Sequence, residues 1–528
     1  MELSKQYVLF LLSSVIFPLN LSLTDYHDPQ ANHILDAVDI TDSCIINSTN
    51  RNFDRFQYTY PQFIDGPHIR VHFTTEAVDS MFFNNTWFTH QSNLVYATTV
   101  LEQVEYAYSV YENEGWQAPP PDCDESITDI NNSNHCINYG GNTLYDVYIG
   151  LVQGPAAAVS PENLYSELPY LGAITSYMLF ANGLGAFGSS DDLLSYNYYI
   201  AAHEMHHAVE FSYGSYGTGP PGNQLFQGWM LEQTATYMEN IVYPNSMHLG
   251  ILLGNCNATT PLSSPELGVY MSYAGALWQK YLVETLEDSS AIRHIWESYG
   301  SQISNSNEPV SFFSIFDDII LDTSDNTMNL EDAYIEYSIW RYFTGERAIP
   351  NQYFEESASY CTTTTIPMPE DDFQFLSNLG TTLYIEIPNA DLTIHLESDH
   401  TEYLPAILIA KDMDENYSMT EFNLLDGNNH IDIDESFEGN HTLIITSGYS
   451  ADEYENITIN MGLYSLPALG DINGDSVINV LDVVIVVNFI LQNQFPSEQE
   501  QDLSDVNSDG VLNVLDVVQL INTILSDS

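Results

Sequence analysis

Apolar and polar positions along this chain follow different rhythms, and the changes of rhythm mark its divisions. Between Leu193 and Tyr213 the apolar residues Leu194, Tyr198, Ile200, Ala201, Ala208 and Phe211 recur with no Gly or Pro until Gly214. That spacing predicts a buried amphipathic helix, and Asp191 and Asp192 stand where acidic residues suit a helix N-terminus. A Gly/Pro-rich loop from Gly214 to Gly222 separates it from a second predicted helix, Gln227 to Glu239. From 370 to 465 short β-rich runs take over: Thr382–Ile387, Leu392–Leu396, Ala406–Ala410, His441–Thr446 and Ile457–Met461. With turns such as Asp426-Gly427-Asn428-Asn429 they predict an all-β sandwich, by default a spacer. At the N-terminus, Lys5 precedes an apolar run from Tyr7 to Phe17 that stops at Pro18. This predicts a signal peptide over residues 1–24, too short for a membrane span and followed by no second hydrophobic stretch. The expected location is secreted or cell-surface, with no membrane span once the signal is removed.

Charge narrows the partners. The 528 residues carry 73 acidic against nine basic side chains, a formal net charge of −64. Charged residues are nevertheless only 16% of the chain, so the imbalance reflects missing Lys and Arg more than added acid. Such a field repels phosphates, which argues against nucleic acid and anionic membrane surfaces. Cys123 and Cys136 bracket a polar insertion and are expected to form a local bridge, as export permits. Cys44, Cys256 and Cys361 remain, and with no C-x-x-C pattern cysteine-bound zinc is not expected.

Within the first helix lies His203-Glu204-Met205-His206-His207. Residues four apart on a helix share a face, so His203 and His207 can direct two imidazoles at one metal ion. Glu204, about 100° further round, can reach a water on that ion. Zinc suits the set, because it takes neutral imidazole nitrogen, keeps a position open and lowers the pKa of a bound water to roughly 7. After His207 the chain reads Ala-Val-Glu-Phe-Ser-Tyr-Gly, so the longer pattern with a third His is absent. The proposed third ligand is Glu232, 25 residues on and in the second helix. Ala235 would let the two helices approach, and Glu239, two turns beyond Glu232, is either an orienting acid for a ligand or a solvent-facing one. His206 and Glu210 are expected to be ordinary surface or packing residues.

These segments resemble secreted bacterial zincin metalloproteases with a glutamate third ligand, the gluzincin arrangement. The likeness covers roughly residues 68–348, from a strand at His68–Thr75, through a helix near Leu94–Glu112 and a strand at Tyr145–Ile149, to Trp340–Arg347. It implies an α+β zincin-like catalytic domain over 25–365, with residues 25–60 a propeptide candidate. It also implies hydrolysis of a protein or peptide substrate, with Glu204 as general base and His203, His207 and Glu232 on zinc. Tyr270 and Tyr273 are candidate transition-state donors. Thr236 stands where thermolysin-like enzymes place an Asp, which leaves the support of the histidines unassigned. The alternative is a non-catalytic surface or scaffold-binding protein that retains the fold for structure.

A second site is spelled near the other end. Asp471, Asn473, Asp475, Asn479 and Asp482 put side-chain oxygens at positions 1, 3, 5, 9 and 12 of a loop, with the Val477 carbonyl at position 7. Asp505, Asn507, Asp509, Val511, Asn513 and Asp516 repeat the pattern 34 residues later. Oxygen ligands of this kind suit calcium, one ion per loop. Gly510 fills position 6, where the loop turns sharply, and Ser476 departs from that preference. The duplicated Asn-Val-Leu-Asp-Val-Val and the apolar helix after each loop resemble type I dockerins. That likeness implies a small α-helical calcium-binding domain over 468–528 that binds a cohesin-like partner through those helices.

Overall fold

Every side chain of Ile69–Phe73 is buried, the pattern of a strand covered on both faces. In the computed structural model, which describes residues 62–526 apart from internal stretches of which 215–227 and 245–272 are the longest, this segment lies inside a five-stranded sheet. The expected signal peptide, the propeptide candidate at 25–60, Cys44, Cys256, Tyr270 and Asp475 lie outside the described residues. The sheet comprises β1 (Gln62–Asp65), β2 (Ile69–Phe73), β5 (Tyr145–Gly150), β6 (Ala157–Leu164) and β7 (Ile174–Ala181), in the order β1-β2-β5-β7-β6. Strands β3 (Ser80–Phe83) and β4 (Thr86–Thr89) form a separate hairpin. β2, β5 and β7 are parallel, and both edges, β1 and β6, are antiparallel to their neighbours.

A parallel step from β2 to β5 needs a crossover, and helix α1 (Leu94–Asn113) supplies it. Asn93 caps α1 by accepting from the Tyr96 amide. α1 packs on β2 and on α2 (Ser190–Ser212), which lies against β6 and β7 and pairs with α3 (Gly228–Val242). Val100, Val104 and Ala107 of α1 share one core with Ala201, Met205 and Val209 of α2 and Met178 and Phe180 of β7. Gly214, at φ +79, follows the end of α2, and a Cβ there would lie 2.5 Å from the Gly172 carbonyl oxygen. Helices α4 (Ala276–Leu286), α5 (Ala291–Asn305), α6 (Phe312–Thr323) and α7 (Leu330–Tyr342) extend this core with stacked aromatics, among them Trp278 on Tyr334 at 4.4 Å.

The β-rich region forms two sheets. One, in the order β13-β12-β15-β10-β8, contains β8 (Ile366–Pro367), β10 (Thr382–Ile387), β12 (Tyr403–Lys411), β13 (Tyr417–Leu425) and β15 (His441–Thr446). The other, β14-β11-β16-β9, contains β9 (Phe373–Ser377), β11 (Leu392–Ser398), β14 (Gly427–Ile431) and β16 (Glu455–Leu463). Leu383, Ile385, Leu408, Leu443 and Ile445 meet Ile394, Leu396, Ile457 and Ile459 between them. The opposite face of the first sheet is also covered. Tyr384, Ile407, Ile409 and Ile444 pack against Tyr342 and Phe343 at the end of α7. The Tyr384 hydroxyl donates to the Ser338 carbonyl at 2.7 Å, and Tyr342 and Thr442 hydroxyls lie 3.1 Å apart. The module is therefore seated on the helical unit, where the sequence suggested a spacer.

At the C-terminus, α8 (Val480–Ile490), α9 (Glu498–Ser504) and α10 (Val514–Ser526) enclose a small core of Ile472, Val486, Phe489, Val506 and Leu520. Cys123 and Cys136 are disulfide-bonded, and Cys361 is disulfide-bonded as well.

Candidate metal centre

The two histidines one turn apart on α2 turn their rings at 90° to each other, with Nε2 atoms 3.1 Å apart. Glu232 on α3 brings Oε2 to 3.1 Å from His203 Nε2 and 3.6 Å from His207 Nε2. Two donors held about 2.0–2.2 Å from a tetrahedral ion lie roughly 3.3–3.6 Å apart. The three atoms thus fit one zinc ion after shifts of a few tenths of an ångström. α3 is fixed for this by its other faces. Ala235 is fully buried, Trp296 Nε1 donates to Thr234 Oγ1 at 3.2 Å, and Gln279 Nε2 lies 3.4 Å from Gln233 Oε1.

Each imidazole is held from behind by a carboxylate. His203 Nδ1 is 2.8 Å from Glu239 Oε1, and Glu239 is buried rather than solvent-facing. His207 Nδ1 is 2.7 Å from Oε2 of Glu210, whose side chain is fully buried. A carboxylate can only accept here, so each Nδ1 carries the proton and each Nε2 is left to a metal. The sequence expectation for Glu210 as an ordinary surface or packing residue is therefore corrected. The i,i+3 spacing from His207 was the available signal. These two acids also answer the missing Asp at Thr236.

Burial and hydrogen bonding oppose each other at the histidines. Burial disfavours the His203 imidazolium, but hydrogen bonds to Glu232 and Glu239 outweigh it and hold its pKa up at about 9. His207 is likewise raised well above the ordinary value: burial acts against it, and the bond to Glu210 with that carboxylate's charge prevails. Glu232 is half-buried, which raises its pKa, yet its bonds to both histidines hold it well below the usual carboxylate range. Burial lifts Glu210 to about 7 and also raises Glu204. Both displacements follow from taking a carboxylate out of water.

Glu204 follows His203 on the same helix and is partly buried. Tyr273, just before α4, stacks on His203 with ring centroids 5.5 Å apart. Its hydroxyl hydrogen-bonds Glu232, and burial with that negative neighbour pushes its pKa well above the phenol value. His206 packs edge-on against Trp116 at 4.6 Å and Tyr111 at 5.0 Å, and burial drives its pKa well below the imidazole value. It is a packing residue.

The two C-terminal loops share a design. Asp482 accepts at Oδ1 from the amides of Ile472 and Asn473, and at Oδ2 from Asn479. Asp516 accepts at Oδ1 from Asn507 and at Oδ2 from Asn513. Asn479 and Asn513 each accept from the amide two residues on and donate to the carbonyl oxygens of Val477 and Val511. Asp505 is engaged by the amides of Asp509 and Gly510, and Asp509 Oδ1 accepts from Val511. Asp471 is buried at the mouth of the first loop. Position 4 is left-handed in both loops, at Gly474 (φ 68) and Ser508 (φ 55), a demand that sequence reading missed. Beyond the loops, Val480, Leu481 and Val484 on α8 are exposed, and so are their repeat equivalents Val514, Leu515 and Val518 on α10.

Residues 469–525 match the family of type I dockerin domains. The chain therefore carries a C-terminal dockerin domain, a calcium-binding module whose role is cohesin binding and scaffold anchoring. Proteins with such domains are typically extracellular or at the cell surface. No curated protein matches the chain. Among the described residues no helix is long and apolar enough to cross a membrane.

Proposed function

We propose that this protein is a secreted zinc metallopeptidase of the gluzincin type, delivered to a cohesin-bearing scaffold by its dockerin domain. The observation that carries the reading is the convergence of His203 Nε2, His207 Nε2 and Glu232 Oε2, with Glu204 beside them on α2. A mixed sheet with an antiparallel edge strand lying over that helix supports an α+β zincin-like frame. Zinc bound there acidifies a water and polarises a carbonyl oxygen. Glu204, whose carboxyl burial makes more basic, takes the proton of the attacking water and returns it to the leaving amine. Tyr273, stacked on His203, is the candidate hydrogen-bond donor to the developing oxyanion. Cations for the two dockerin loops are calcium, held by the oxygens of Asp471, Asn473, Asp475, Val477, Asn479 and Asp482 and of their equivalents Asp505 to Asp516.

The test is hydrolysis of casein and of a quenched peptide library by wild type and Glu204→Gln, with zinc measured on both. Equal zinc content with a rate loss of about 10²-fold or more in the variant supports the reading. The dockerin domain favours a second reading, a scaffold-binding protein without catalysis. Zinc-loaded wild type that cleaves nothing would select it.

A further inference from the structure

We propose that Glu210 is the positioning residue of His207, fixing that imidazole for the metal through Nδ1. The inference rests on the metal-centre reading above. Glu210 lies one turn beyond His207 on α2, with its side chain fully buried and Oε2 2.7 Å from Nδ1. Among the described residues its ion-pair contact is His207, while His206 lies 3.8 Å away and is kept neutral by burial. Oε1 has no hydrogen-bond partner there, and neither ring nitrogen of His206 has one. A buried carboxylate with a single hydrogen bond and no Lys or Arg is costly unless that bond leads to positive charge.

His207 is the route by which positive charge reaches it. An imidazole that donates from Nδ1 to a carboxylate becomes a better donor at Nε2, and its ring is locked toward the ion. Trp116 and Tyr111 pack edge-on against the neighbouring His206, and the Glu210 side chain is itself fully buried, so water does not relieve the carboxylate. The same relation between Glu239 and His203, at 2.8 Å, makes the centre symmetric: each helix of the pair supplies one backing acid. A residue that only filled space at 210 would have no need of charge.

The experiment uses the full chain. Glu210→Gln keeps shape and an acceptor oxygen while removing the charge, and the exposed Glu421→Gln supplies a control for loss of one acid elsewhere. Zinc affinity is measured by competition with a chromophoric chelator, and the cobalt-substituted protein gives the ligand-field spectrum. Glu210→Gln is expected to weaken zinc binding about 10–100-fold and to shift the cobalt bands, with Glu421→Gln at wild-type values. Unchanged affinity and spectrum in Glu210→Gln would overturn the proposal. If that variant does not fold, ¹⁵N-histidine spectra of zinc-loaded wild type decide instead. His207 protonated at Nδ1 and metallated at Nε2 supports the role, and the opposite tautomer overturns it. Wild type that binds zinc without cleaving peptides sinks the peptidase reading alone, while wild type that binds no zinc sinks both.

Discussion

His203 stands between two carboxylates, with Nδ1 2.8 Å from Glu239 and Nε2 3.1 Å from Glu232. In the metal-free protein both contacts favour the imidazolium, which holds the pKa at about 9 against the desolvation that opposes it. A pKa raised above the ordinary 6.5 gives stability that is complete below 6.5 and lost as pH rises through 9. Metal-free protein is therefore expected to melt at lower temperature at pH 9.5 than at pH 6.5. Zinc must displace the His203 proton, so its affinity should rise across that interval by up to about tenfold per pH unit. Chelator competition from pH 6.5 to 9.5 reads this directly, and a flat profile would count against the assignment of His203.

His206→Leu should leave the protein at least as stable as wild type. The imidazole is fully buried, neutral by burial, and among the described residues makes no hydrogen bond with either nitrogen. Replacing it with an apolar side chain of similar size removes an unmet polar group worth about 1–3 kcal/mol. Thermal denaturation and zinc content together check this. Loss of zinc would show that His206 has a part in the metal centre.

The sandwich and the helical unit should unfold together. Phe343 is fully buried and stacks on Tyr353 at 4.5 Å inside the cluster that joins α7 to the sheet. Phe343→Ala is expected to cost about 3–5 kcal/mol. Calorimetry should show one transition, moved down as a whole. A split in which the sandwich keeps its own melting temperature would show the contact to be weak.

In the dockerin domain a Cβ at Gly474 would meet open space, so substitution there costs backbone energy alone. With φ at +68, Gly474→Ala should destabilise the calcium-loaded domain by about 1 kcal/mol without preventing folding, since Ser508 occupies the equivalent place. Calcium-dependent circular dichroism of the full chain checks the shift. Dialysis against calcium-free buffer should remove the helical signal of this tail and leave zinc bound. A dichroism spectrum unchanged without calcium would refute calcium binding by the loops.

Legibility in the sequence followed the range of the interaction. His203, Glu204 and His207 lie within one turn and a half, where helical geometry alone brings them together. Glu232 was reachable because α3 shows its own helical pattern. Glu210 escaped because an acid on a helix is ordinarily solvated, and only the tertiary packing of the folded chain buries it. The seating of the sandwich was written but not read: Leu404–Ala410 is apolar throughout rather than alternating, as a strand buried on both faces must be.

The position of β16 has a mechanical consequence. It is the last strand before the dockerin domain and lies between β11 and β9, antiparallel to both. A scaffold tether reaches the sandwich through the end of this strand at Leu463, and any pull along the strand acts at right angles to its hydrogen bonds, so that the whole ladder shares the load in shear. The strand acts as a strain relief on the chain's path between the dockerin domain and the helices that carry His203, His207 and Glu232.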